Sequence, residues 1–267
     1  GFTIGSGGGV NENSQTYASW NWLGANGTAA NTDGSISSTV SANTTSGFSI
    51  VGWTGNNTNG ATVGHGLGVT PDVVFFKNRS GPPNSWHVYH SSFANATDLL
   101  LLDGTNAIIS SNNYISGTRP SSSLLTLGNS AATNENSQTI IAYCFADVQG
   151  FSKFGSYTGN GNADGTFVYT GFKPAFVMIK ATGLVKNWLT FDNRRLGYNG
   201  AGTNKQLHPN TNGTESSGNG TTLDILSNGF KTRTTDSDEN GSGQNYIYMA
   251  FAENPLVGTN NIPATAR

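Results

Sequence analysis

Charge is the scarcest property of this sequence. Only 10% of its 267 residues are charged, 15 acidic against 13 basic, for a formal net charge of −2. Ordinary globular chains carry about 25% charged residues. With no cluster of Lys or Arg either, the chain lacks the electrostatic footprint of a nucleic-acid binder. Cysteine occurs once, at Cys144, which excludes an intrachain disulfide framework. It lies in the apolar run from Ile140 to Phe145 and reads as a small buried hydrophobe. No apolar run approaches the ~20 residues that span a bilayer as a helix. No amino-terminal stretch joins basic residues to a short apolar core. Ala, Leu, Glu and Lys are too few for a helical bundle. Aromatic residues nevertheless reach 10%, and that much apolar material separates the chain from disordered ones.

Strand and turn signals are abundant. Gly, Ser, Thr and Asn make up about half of the chain. Between them lie short runs rich in Val, Ile, Phe and Tyr, such as Val73 to Lys77, Phe176 to Lys180 and Tyr246 to Phe251, the pattern of an all-β protein. In the last run, period-two alternation puts Tyr246, Tyr248 and Ala250 on one face and Ile247, Met249 and Phe251 on the other. Asn26-Gly27, Asp103-Gly104, Asn228-Gly229 and Asn240-Gly241 are tight-turn dipeptides.

The chain also repeats itself. Thr54-Gly55-Asn56 returns as Thr158-Gly159-Asn160, Pro71 as Pro174, Lys77 as Lys180 and Trp86 as Trp188, at an offset near 103 residues (174 − 71). A fixed offset of this kind marks repeated structural units. A second motif occurs three times, as Asn11-Glu12-Asn13-Ser14-Gln15-Thr16, Asn134-Glu135-Asn136-Ser137-Gln138-Thr139 and Asn240-Gly241-Ser242-Gly243-Gln244-Asn245. Each copy leads into an apolar strand. The expected fold is therefore all-β: two tandem β-sandwich, jelly-roll-like modules at 47–149 and 150–255. They are preceded by the closing β-hairpin of an upstream module at 1–25, which makes this the carboxy-terminal part of a longer polypeptide. Residues 26–46 read as a Ser/Thr/Asn-rich linker or loop, and 256–267 as an extended arm.

Several strings resemble a module of marine bacteriophage virion proteins. They are Ser38 to Thr45, Gly47-Phe48-Ser49-Ile50-Val51, Val63 to Gly68 before Pro71, Gly150 to Gly161, and Ala250-Phe251-Ala252-Glu253-Asn254-Pro255. The resemblance covers nearly the whole chain. It implies a virion structural protein of tail-fibre or appendage type, and it supplies no catalytic residue. The expected partners are copies of the same chain, with a trimer suggested by phage fibres generally, together with other virion proteins and a host surface glycan. Nucleic acid and membrane insertion are not expected.

Candidate chemistry is sparse. No nucleophile elbow is present, and no pair of carboxylates is brought together for glycoside hydrolysis, so no enzyme is expected. Trp20 and Trp22 share one strand face. They read as core or, if exposed, as platforms for sugar rings. Trp53, ahead of the polar loop that opens at Asn56, is the better surface candidate, so Trp53, Asn56, Trp20 and Trp22 form the carbohydrate-binding set. Asp236, Asp238 and Asn240 match the start of a calcium loop. The bidentate Glu such a loop needs is replaced by Ile247, and a polar turn is the better reading. No other cofactor is expected. The function expected is a virion fibre component presenting a neutral polar surface for host attachment. The alternatives are a carbohydrate-binding adhesin and a capsid-decorating or filament-forming protein.

Overall fold

The computed structural model describes residues 3–195, 199, 205–216 and 222–253. The fold is nearly all antiparallel β-sheet. The first half contains β1 (Ala29–Asn31), β2 (Ser38–Asn43), β3 (Phe48–Thr54), β4 (Thr62–Gly64), β5 (Val73–Asn78), β6 (His87–His90), β7 (Asp98–Leu101), β8 (Ile109–Ser110), β9 (Leu124–Thr126) and β10 (Thr139–Phe145). The second contains β11 (Ser152–Thr158), β12 (Phe167–Tyr169), β13 (Pro174–Ala181), β14 (Leu189–Asp192), β15 (Leu223–Leu226), β16 (Gly229–Thr232) and β17 (Asn245–Ala252).

Eight strands of the first half form one sheet in the order β1-β2-β3-β10-β5-β6-β7-β8, faced by the pair β4-β9. The second half repeats the centre of that order as β11-β17-β13-β14, faced by β12-β16-β15. Each module closes with a strand, β10 or β17, that inserts between two earlier ones. Its register is Ile140 opposite Trp53 and Asn78 in one module, and Tyr246 opposite Tyr157 and Ala181 in the other.

The alternating faces of these central strands build three cores. Ile140, Ala142 and Cys144 pack with Val51, Trp53 and Phe76 under β4-β9. Tyr246, Tyr248 and Ala250 pack with Val177, Ile179 and Phe230 under β12-β16-β15. The remaining faces meet each other. Phe48, Val73, Val88 and Phe145 from one sheet join Phe154, Phe176, Ile247, Met249 and Phe251 from the other in a third core. The molecule is thus four β layers deep, and its two modules share the middle interface. Each large side chain withdrawn from water there contributes about 1.5–3 kcal/mol.

The β15–β16 hairpin shows how locally these choices are made. Leu226 pairs with Gly229, leaving Ser227 and Asn228 as the turn. A side chain at Gly229 would collide with the Val168 carbonyl of the neighbouring strand β12, so glycine permits the close approach.

Two expectations about organisation change. Residues 26–46 are not a linker: they contain β1 and β2, and Ser38 and Val40 are buried. A strand of small hydroxyl residues laddered on both edges, as β2 is by β1 and β3, needs little apolar material. Residues 1–25 form no hairpin over their described part. They contain one short helical turn, Gly8–Asn11, followed by extended chain. The expected arm at 256–267 lies outside the described residues.

Candidate functional site

The third core is open at one side. Where it opens, Trp20, Trp22, Phe48, Phe75, Trp86 and Tyr143 help to line a cavity of about 440 Å³ between the two modules. Trp20 and Trp22 come together here on extended chain. Trp22 meets Phe145, Phe176 and Phe251 edge-on at centroid distances of 5.8, 5.7 and 5.2 Å. Trp20 meets Phe176 at 5.6 Å, and the Arg195 guanidinium lies 5.7 Å from its ring. Both tryptophans are half-buried, covering the seam rather than facing outward.

Trp53 is elsewhere. It belongs to the first module's own core, 5% exposed, with its indole nitrogen buried and unpartnered. The strand alternation that puts Val51 inward puts Trp53 there too, so the reading of Trp53 as a surface platform is corrected. Asn56 is exposed, but its amide oxygen is already engaged by the Thr58 N–H and by Nδ2 of Asn134. The four carbohydrate candidates therefore form no single site.

Polar contacts bolt the modules together across the seam. Trp188 Nε1 donates to the Leu101 carbonyl at 2.7 Å. Lys180 Nζ donates to the carbonyls of Thr105, Ala181 and Leu184, and burial lowers its pKa to about 8. His90 Nδ1 accepts the Ser92 N–H, which leaves Nε2 as the donor to the Tyr248 carbonyl at 3.2 Å. Burial lowers the His90 pKa to about 4 and keeps the ring neutral. Cys144 is fully buried, with its thiol pushed up by desolvation and so unreactive.

The segment of Asp236, Asp238 and Asn240 reads from the sequence as a polar turn, with calcium as the weaker alternative. A lysine ammonium occupies the acidic turn: Lys186 Nζ lies 2.5 Å from Asp238 and 3.9 Å from Asp236. Asn240 faces inward and clamps the turn. Its Nδ2 donates to Asn160 Oδ1, the Asn162 carbonyl and the Thr234 carbonyl at 2.7–2.9 Å, and its Oδ1 accepts the Asn160 N–H at 3.1 Å. Asn134 makes the same set in the first module, with Asn56, Thr58 and Gly128 as partners. These two buried asparagines clamp equivalent turns in the two modules. Their recurrence after Thr-Gly-Asn and before Gln was the signal in the sequence. Among the described residues no group of three or more His, Cys, Asp or Glu is placed to hold a metal.

Glu239, beside this clamp, is fully buried, and its Oε1 has no hydrogen-bond partner. Desolvation raises its pKa to about 8, outweighing the opposing pull of Thr222 and Lys186. A carboxyl raised in the folded state stabilises at low pH and loses that contribution as pH rises through the folded value. His90 works in the opposite direction, but only between about pH 4 and its unfolded value of 6.5. Lys180 acts only above about pH 8. Between pH 6.5 and 8 Glu239 therefore stands alone among the strongly shifted groups of the described residues, and stability is expected to fall there by about 2 kcal/mol at ~1.4 kcal/mol per pH unit. Urea denaturation of the wild type and Glu239→Gln at both pH values checks this. A slope that persists in the variant would assign it to another group.

No curated protein and no solved structure matches the chain. One family model does, across residues 1–255, a span that takes in the extended amino-terminal segment, both modules and the seam between them. The chain belongs to the family described as Domain of unknown function (DUF7483).

Proposed function

We propose that this chain is a non-enzymatic structural component of a virion, of tail-fibre or appendage type, working within an oligomer. The observation that carries the reading is the shared core. Two modules that could have been beads on a string are fused over a whole sheet face and bolted by Trp188, Lys180 and His90. This build transmits load and holds surface loops in fixed positions. The strongly shifted groups His90, Cys144, Lys180 and Glu239 are all buried in the cores or the seam. Outside the cores the surface is rich in Asn, Ser and Thr, which hydrogen-bond water without carrying charge that salt could screen. The resemblance to marine phage modules supplies the context.

The test is a cryo-EM map of the intact particle that contains the chain. Chains meeting about a threefold axis on a fibre are the expected result. Chains tiling a shell, or their absence from purified particles, would overturn the reading.

The seam cavity favours a second reading, a carbohydrate-binding adhesin, because indole and phenol rings line it. It is the weaker of the two. A sugar brings many hydroxyls that need partners, and the lining is mostly apolar, with Asn21 and Thr190 among its few polar side chains.

A further inference from the structure

The amino-terminal segment is a third copy of a structure the chain already contains twice. In all three copies an asparagine N–H bonds four residues back: Asn11 to Gly7, Asn134 to Ser130 and Asn240 to Asp236, at 3.0, 2.9 and 2.8 Å. In all three a glutamine N–H bonds three residues back: Gln15 to Glu12, Gln138 to Glu135 and Gln244 to Gly241, at 3.3, 3.2 and 3.1 Å. The residue before each glutamine has a positive φ: Ser14 64°, Ser137 61° and Gly243 70°. Each asparagine Nδ2 reaches the carbonyl six residues back: Gly5, Gly128 and Thr234 at 2.9, 3.0 and 2.7 Å. Tyr17 even repeats Tyr246. Its hydroxyl accepts the Glu12 N–H and donates to the Gly8 carbonyl, as that of Tyr246 accepts from Gly241 and donates to Ser237.

What differs is the partner. Asn134 and Asn240 are closed by the Thr-Gly-Asn loops that follow β3 and β11, whereas Asn11 meets no such loop among the described residues. Tyr17 is 51% exposed where Tyr246 is 0%. Residues 16–22 correspond to the central strands β10 and β17, each of which has a neighbour on both edges. Over 16–22 the described residues form no backbone ladder.

The placement of this segment is equally informative. Counted from the shared turn, Trp22 is the counterpart of Phe145 and Phe251. The three rings form a triangle with sides of 5.8, 5.2 and 6.0 Å. Equivalent residues of three copies thus meet at one point, as they would about a threefold axis. Two sectors around that point hold complete sheets, and the seam cavity opens in the same region, beside Trp20 and Trp22.

We propose that residues 5–22 are the closing turn and central strand of a third module. Their occupant is the body of a module of this same type, supplied from outside residues 1–267. It lacks its own closing strand and presents a Thr-Gly-Asn loop to Asn11. Its strands flank 16–22 on both edges, and its sheet covers the seam cavity. A second copy of this chain is not the occupant, because its two Thr-Gly-Asn loops are already held by Asn134 and Asn240.

The test uses the full 267-residue chain and a fluorescent peptide with the sequence of residues 152–164, which carries the Thr158-Gly159-Asn160 loop. Anisotropy is expected to show saturable binding at millimolar peptide or tighter. The binding should weaken at least tenfold on Asn11→Ala in the chain or Asn160→Ala in the peptide. Amide exchange over 16–22 should slow on binding, and the melting temperature of the free chain should be unchanged by Asn11→Ala. Absence of saturable binding, or binding indifferent to Asn11, overturns the proposal. Asn11-dependent self-association of the chain without peptide would also overturn it, because the occupant would then be a second copy.

Discussion

Asn240→Ala is expected to destabilise the chain by about 3–5 kcal/mol, because the substitution leaves several buried polar groups unpaired at about 1–3 kcal/mol each. The Asn240 side chain is 0% exposed. Its loss takes the donor from the carbonyls of Asn162 and Thr234 and the acceptor from the Asn160 N–H, while Asn160 Oδ1 keeps the Asn162 N–H. Asn134→Ala should cost a similar amount in the first module, where Asn56, Thr58 and Gly128 lose the same contacts. Asn240→Asp offers no relief, since a carboxylate cannot donate to three acceptors. Asn11→Ala is the internal control: its amide makes a single exposed bond, and the change should stay within about 0.5 kcal/mol. Urea denaturation of the four variants ranks them. Parity between Asn240→Ala and Asn11→Ala would show that the buried clamp contributes nothing beyond an ordinary turn.

The second large effect is expected at Phe251, whose ring meets those of Trp22, Phe145, Phe151, Phe154 and Phe176. Phe251→Ala removes a ring that two modules and the amino-terminal segment share, and should cost about 3–5 kcal/mol. The diagnostic consequence is in the shape of the transition. If the seam makes the modules one cooperative unit, the wild type melts in a single step. The variant should then either melt in one step at lower temperature or split into two, with near- and far-ultraviolet signals no longer coincident. A variant that melts like the wild type would mean that the seam adds no stability.

Much of this architecture is legible before any coordinates. The faces of Tyr246 to Phe251 follow from period two, and those side chains do divide between two cores. What periodicity leaves open is what the second face meets, since an apolar face records burial but not its partner. Trp53 was drawn to the surface by the polar loop beside it, although its own parity with Val51 placed it inward. The strand Ser38–Asn43 was missed because small hydroxyl residues carry almost no hydrophobic signal, and its pairing with β3 supplies what its side chains lack. Asp236 and Asp238 mimicked a calcium loop because Asx turns and calcium loops begin with similar spacing. The deciding group, the Lys186 ammonium, lies fifty residues away (236 − 186). The clamp asparagines could be marked by recurrence, but most of their partners are main-chain groups, which the sequence does not name.

The clamp also bears on how the molecule ages. Asn240 is followed by Gly241, the pairing in which an asparagine side chain is least hindered from being attacked by the next backbone nitrogen, closing a succinimide and shedding ammonia. Here that nitrogen donates its proton to the Tyr246 hydroxyl, and the side-chain amide it would have to reach is pinned by three acceptors. The residue that locks the fold is by the same contacts withheld from deamidation, so the chemical lifetime of this bond becomes a property of the folded state. Unfolding starts a clock that folding keeps stopped.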